Sequence, residues 1–179
     1  MAYEIEIKAH ADMSLKERID DYVGQKGEEV VKSDTYYAFP DDEAPRFRLR
    51  LENGHILVSA KRNRREAGLE CNEELEFVHK DVSDYDTMAA MAQMLGYRVF
   101  IHKYKKGWSW HLDDVHIELL DVRHLGAFLE MEILSAKDGF EANRASYDRL
   151  FSVLHDLGLG DGAVEERSYQ EMLRPYEPC

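Results

Sequence analysis

The chain has 179 residues, of which 44% are hydrophobic and 33% charged, as in one globular domain and unlike a disordered chain. Its formal net charge is −13, which argues against a generic nucleic-acid binder, since phosphate contacts need a basic surface. No apolar run is long enough to cross a bilayer, and the N-terminus enters Glu4-Ile5-Glu6 with neither a basic start nor an apolar stretch, so no membrane partner or secretory leader is expected and a cytoplasmic location is.

Tyr3 to His10 alternates strictly and predicts a strand. Ser14-Leu15-Lys16-Glu17 reads as a capping box opening a helix whose face carries Leu15, Ile19, Tyr22 and Val23, ending near Gly24 or Gly27. Val30 to Phe39 is rich in β-branched and aromatic residues. Arg46 to Glu52 and His55 to Arg62 flank Asn53-Gly54, a strong hairpin signal. Glu70 to His79 alternates again. Ser83 to Leu95 reads as a helix stopping at Gly96. Tyr97 to Lys105, Trp108 to Leu112 and Val115 to Asp121 read as strands separated by turns at Lys106-Gly107 and Asp113-Asp114, and Ala127 to Leu134 closes the series. A helix over Asp138 to Leu157 stops at Gly158, and a short helix spans Glu166 to Leu173. About nine strands with short connections predict a largely antiparallel α+β fold. Cys71 and Cys179 lack ligand-like spacing and read as free thiols rather than a disulfide or zinc site.

Residues i and i+2 of a strand share a face. Glu4, Glu6 and Lys8 therefore oppose Tyr3, Ile5 and Ile7, and Arg46, Arg48 and Arg50 oppose Phe47, Leu49 and Leu51. Glu74 and Glu76, Lys103 and Lys105, and Glu130 and Glu132 repeat the pattern, and Lys61 ends its own strand. For a single strand, a solvated outer face explains such alternation. Five strands with clustered like charges point instead to a bound anion with metal cations between them. A closed barrel with apolar staves covered by helices outside and charge in the lumen would hold them.

Glu4-x-Glu6-x-Lys8 resembles the ExExK signature of the CYTH superfamily, also called triphosphate tunnel metalloenzymes, which includes class IV adenylate cyclases, thiamine triphosphatases and inorganic triphosphatases. Asp34-Thr35-Tyr36-Tyr37 is similar to its DxYY strand, Arg46-Phe47-Arg48-Leu49-Arg50 to its LRxR strand, Lys61 to its tunnel lysine and Glu74-Leu75-Glu76 to its ExE. Leu95-Gly96-Tyr97 with Lys103-Tyr104-Lys105 resembles LGY followed by KxR, and Asp121 with Leu125-Gly126-Ala127-Phe128-Leu129-Glu130-Met131-Glu132 resembles its D…LGxFxExE segment. Arg167-Ser168-Tyr169-Gln170-Glu171-Met172-Leu173 is similar to the RSYxxLL helix of cyclase-like members. Lys105 stands where an arginine is usual, Asn72 where a basic residue is common, and the spacing after Asp121 is one residue short.

The resemblance implies a single CYTH domain over 1–174 with a tail at 175–179, folded as a closed antiparallel eight-stranded β-barrel with helices packed outside. It implies a small-molecule triphosphate ligand, with Glu4, Glu6, Asp121, Glu130 and Glu132 on one or two divalent metals, Mg²⁺ or Mn²⁺, and Glu74 and Glu76 as weaker metal-side candidates. Lys8, Arg48, Arg50, Lys61, Lys103 and Lys105 would contact phosphate oxygens, and Tyr36 with Lys61 would activate water. His10, His79 and His102 read as surface or strand-end histidines, and Trp108 and Trp110 as packing residues or, for one of them, a stacking platform at the tunnel mouth. Three activities stay open: hydrolysis of the terminal phosphate of inorganic triphosphate, thiamine triphosphate or a nucleotide; cyclisation of ATP to cyclic AMP; and non-catalytic polyphosphate binding. A homodimer is the family habit.

Overall fold

The structure, a computed structural model, describes residues 2–62, 65–66 and 69–176, with side chains for 3–60 and 75–176. In chain order the elements are β1 (Ala2–His10), α1 (Leu15–Val23), β2 (Glu28–Ala38), β3 (Phe47–Glu52), β4 (His55–Arg62), β5 (Arg65–Glu66), β6 (Leu69–His79), α2 (Tyr85–Met94), β7 (Arg98–Leu112), β8 (Val115–Val122), β9 (Gly126–Ser135), α3 (Arg144–Asp156) and α4 (Tyr169–Leu173). All strand pairs are antiparallel, in the order β1-β9-β8-β7-β2-β3-β4-β6-β5. The sheet curls strongly, and pairing of Ala2–Glu6 with Glu70–Glu74 joins β1 to β6, so eight strands form the ring and two-residue β5 only extends β6. Beyond that stretch β1 turns to the C-terminal segment: Ala9 bridges Val164, and the Glu165 N–H donates to the Lys8 carbonyl at 2.7 Å.

The alternation in the sequence decides which face is dry. Ile5, Ile7, Ile117, Leu119, Leu129 and Met131 point outward, where Ile19 of α1 and Tyr147, Leu150, Val153 and Leu154 of α3 bury them. Around the ring, α2 covers Tyr37 and Leu49 with Ala92. Each fully buried aliphatic side chain contributes roughly 1.5–3 kcal/mol. The opposite face carries the charges, as expected. On α4, Tyr169, Met172 and Leu173 pack on Val30, Ile101, Leu120, Val122 and Phe128, which are same-face neighbours of Lys32, Lys103, Glu118 and Glu130. The lumen therefore has an apolar stretch beside its charged one. Among the described residues no helix is long and apolar enough to cross a membrane.

Asn53 and Gly54 have φ of 49° and 73°, the two positive values that their hairpin turn requires. Other local expectations are corrected. Lys106-Gly107 is no turn: β7 runs unbroken for 15 residues, pairing these two with Val31 and Val30 on one side and Asp121 and Leu120 on the other. A Cβ on Gly107 would stand 1.9 Å from the Leu119 carbonyl oxygen, so glycine here admits a neighbouring backbone rather than a bend. Ser14 makes no side-chain cap; its N–H donates to Asp12 Oδ1 at 2.8 Å. The capping box is at α4, where Ser168 Oγ accepts from Glu171 N at 3.2 Å and Glu171 Oε2 from Ser168 N at 2.6 Å. α3 starts at Arg144 rather than Asp138, because Gly139 is left-handed (φ 87°) and the Asn143 amide holds the carbonyls of Lys137 and Gly139.

Candidate active site

The lumen encloses a cavity of about 590 Å³ lined mainly by charged side chains. Strand register sorts them. Lys8, Glu130 and Glu118 lie directly opposite one another across β1, β9 and β8, and Glu6, Glu132 and His116 form the next such row. On the other wall Tyr36 faces Arg48, Asp34 faces both Arg50 and Lys103, and Lys32 faces Glu52 and Lys105.

Two knots of charge result. In the first, Arg50 grips Asp34 bidentately at 2.6 and 3.1 Å, Lys103 reaches the same carboxylate at 3.0 Å and Arg48 stands 3.9 Å away. Burial would raise the Asp34 pKa, but Arg50, Lys103 and Arg48 outweigh it and hold the carboxyl well below the usual range. The Tyr36 hydroxyl donates to Asp34 at 3.4 Å, and its ring lies 5.4 Å under the Lys103 ammonium. Burial pushes the Tyr36 phenol up and Asp34 adds to that, yet Lys103, Arg48 and Arg50 bring it below 10.0.

In the second knot Lys105 pairs with Glu130 at 2.6 Å and Glu118 at 3.7 Å, while Lys32 pairs with Glu118 at 2.5 Å and Glu52 at 3.2 Å. Tyr169 of α4 donates its hydroxyl to Glu130 at 2.6 Å, and its ring lies beneath the ammonium groups of Lys8 and Lys103 at 4.7 and 4.9 Å. Burial alone would neutralise Glu130 and Lys105; their mutual attraction instead lowers the first pKa and raises the second. Tyr169, buried beside Glu130, has its pKa pushed well above the ordinary value by burial first and that carboxylate second.

Of the expected residues, Glu4, Glu6, Lys8, Tyr36, Arg48, Arg50, Glu76, Lys103, Lys105, Glu130 and Glu132 all line the cavity. Asp121 does not. It pairs with Lys106 and Ala127, three residues from Glu118 and hence on the other face of β8. Glu118 lies in the lumen instead. The side chains of Lys61 and Glu74 lie outside the described residues, although their backbones pair across β4 and β6. Lys32, Asp34, Glu52, His116, Glu118 and Tyr169 were not expected as site residues. Alternation with Tyr36 marks Lys32 and Asp34 in the sequence, and alternation with Glu118 marks His116. His10, His79 and His102 bond Glu165, Asp84 and Thr35 away from the cavity lining, and Trp110 is core.

Could this set hold a divalent metal? Among the described residues no three His, Cys, Asp or Glu side chains converge as ligands, and lysines engage Glu118 and Glu130. The donor chemistry does fit: Glu4, Glu6, Glu118, Glu130 and Glu132 line one lumen, and carboxylate oxygens suit hard dications.

A family model described as the CYTH domain matches residues 2–169. Among curated proteins none matches the chain significantly. A solved structure from Pyrococcus horikoshii is 24% identical, with 94% of this chain and 98% of that one aligned at a TM-score of 0.77. A Vibrio parahaemolyticus protein described as a candidate adenylate cyclase is 22% identical over 96% of this chain and 98% of that one, at 0.74. A Hippeastrum protein, taken for an adenylyl cyclase and described as having a dominant triphosphatase activity, is 15% identical over 100% of this chain and 98% of that one, at 0.64. At these identities the likeness is one of fold.

Proposed function

The chain belongs to the CYTH domain family, and from that premise we propose that it is a metal-dependent enzyme that hydrolyses the terminal phosphate of inorganic triphosphate, thiamine triphosphate or a nucleotide. The observation that carries this reading is Tyr36. A cavity-lining phenol whose pKa is drawn down by Lys103, Arg48 and Arg50 has the makings of a general base toward water. Lys61 remains its partner in the proposal on the strength of the motif alone.

Lys8, Arg48, Arg50, Lys103 and Lys105 hold the phosphate oxygens, the arginines in a fork that matches two oxygens at once. A bound Mg²⁺ or Mn²⁺ on Glu4, Glu6, Glu118, Glu130 and Glu132 would neutralise phosphate charge. Tyr36 Oη takes the proton from water as its oxygen bonds to the terminal phosphorus and the bond to the bridging oxygen breaks, releasing orthophosphate and the shortened chain. Asp34 keeps Arg50 and Lys103 oriented, so the cations need no reorganisation as charge develops.

The alternative is cyclisation of ATP, which the resemblance of Arg167–Leu173 to the closing helix of cyclase-like members favours. Purified protein incubated with Mg²⁺ or Mn²⁺ and each triphosphate distinguishes them by product. Orthophosphate supports hydrolysis. Cyclic AMP with pyrophosphate overturns it in favour of the cyclase, and metal-dependent binding without turnover overturns both in favour of a binding module.

A further inference from the structure

His116 takes no part in that scheme, yet it is the nitrogen-bearing member of the Glu6, Glu132 and His116 row. Its Nδ1 lies 3.1 Å from Glu132 Oε1, and Nε2 lies 2.8 Å from Ser109 Oγ and 3.9 Å from Glu118 Oε1. The ring stacks on His111, with centroids 4.7 Å apart and planes 19° apart. Nδ1 thus faces Glu132, while the nearest partner of Nε2 is the Ser109 hydroxyl, with Glu118 farther off, and the His111 ring stacks on the imidazole. A ligating imidazole is held in just this manner, its second nitrogen donating to an outer partner that sets tautomer and orientation. Glu132 only accepts, so Nδ1–H donates to it; a cation bound by that carboxylate takes the place of this proton and meets an imidazole donor, which Nε2 holds in position through Ser109 Oγ.

We propose that His116 ligates the lumen metal through Nδ1, and that the site therefore takes a transition-metal dication in preference to Mg²⁺. The inference rests on the reading of the lumen carboxylates as a metal site and adds a preference to it. Mg²⁺ takes oxygen ligands and keeps much of its water, whereas imidazole suits Fe²⁺, Co²⁺, Ni²⁺ and Zn²⁺. A row of carboxylates alone would have a weaker bias of this kind.

Co²⁺ is the probe, because its visible absorption reports the ligand set directly. The full chain, wild type and His116→Gln, is titrated with Co²⁺ and separately with Mg²⁺ by calorimetry, with the Co²⁺ spectrum recorded at saturation. Wild type should bind Co²⁺ at least about tenfold more tightly than Mg²⁺. His116→Gln should lose about 10- to 100-fold in Co²⁺ affinity and alter the spectrum, while its Mg²⁺ affinity moves less than about threefold, which also shows that the variant is folded. If His116→Gln binds Co²⁺ as wild type does while Glu132→Gln loses both metals, the ligand assignment is overturned and the metal site stands. If wild type binds neither metal, both readings fall.

Discussion

Replacing Glu130 by Gln removes one charge from the second knot and little else. The carboxylate is buried between Lys105 at 2.6 Å and the Tyr169 hydroxyl at 2.6 Å. Breaking a buried pair by losing one partner costs about 3–5 kcal/mol, because the other charge stays buried. Two features reduce that here: glutamine can keep its carbonyl on Lys105 while its NH2 donates to the Tyr169 hydroxyl turned to accept, at about 1 kcal/mol each, and Glu118 at 3.7 Å still faces Lys105. The net loss should be about 2 kcal/mol, which for a chain of this size lowers Tm by about 4–8 °C in circular-dichroism melting. Turnover should fall at least about 100-fold, since the proposed site loses one of the carboxylates that would hold metal beside the phosphate. The acid limb carries a further sign. The Glu130 pKa is lower in the folded than in the unfolded chain, so its stabilisation is complete above about 4.5 and is lost as pH falls toward the folded value. The gap between wild type and variant should therefore narrow below about pH 4.5. An unchanged Tm with wild-type turnover would refute both the ion-pair argument and the tunnel.

Arg48→Ala should abolish product formation while leaving the circular-dichroism spectrum intact, because its side chain lines the cavity and supports no apolar cluster. Hydrolysis should rise with pH along a limb whose midpoint lies below 10.0, as the Tyr36 phenolate forms; Lys103→Met, which removes the largest downward influence, should move that midpoint up. Glu118→Gln should raise the metal concentration needed for half-maximal turnover at least about tenfold, whereas Asp121→Asn, on the outer face, should leave it unchanged; the reverse ranking would restore Asp121 to the site. Gly107→Ala should destabilise by at least about 2 kcal/mol in urea unfolding, since its Cβ meets backbone rather than a side chain that can move.

Period-two alternation made most of this site legible. Once Ile5 and Ile7 need cover, Glu4, Glu6 and Lys8 must share the other face, and the same reasoning places Arg48, Arg50, Glu130 and Glu132. It failed where a face had to be assigned by counting from a motif with an altered spacing: Asp121 fits the pattern in letters, yet β8 is phased by Val115, Ile117 and Leu119, which puts Glu118 inside. Lys106-Gly107 was misread because glycine signals both a turn and a close backbone approach, and only the position of Leu119 tells them apart. Ser14 and Ser168 show the same ambiguity at helix starts. Each precedes an acidic residue three positions on, and only Ser168 has the extended backbone, with ψ of 156°, that lets its hydroxyl turn back onto the first turn. Lys32, Asp34 and His116 alternated correctly but stood among apolar or polar residues of mixed character, so their strands lacked the repeated like charge that drew attention elsewhere.

The ring of pairings has a consequence for how the chain is made. β1 leaves the ribosome before both strands that it pairs with, Tyr3 with Ser135 and Glu4 with Asn72, so neither of its edges can be satisfied until distant segments exist. Until then Ile5 and Ile7 lack most of their apolar cover, because α1 offers the cluster Ile19 alone among its buried residues and α3 comes later still. Contacts of such long sequence separation are slow to form and leave strand edges open to other chains in the interval. Glu4, Glu6 and Lys8 charge every second position of that waiting strand, which disfavours pairing with a like strand. The residues that equip the lumen thus also guard the nascent chain against association during synthesis.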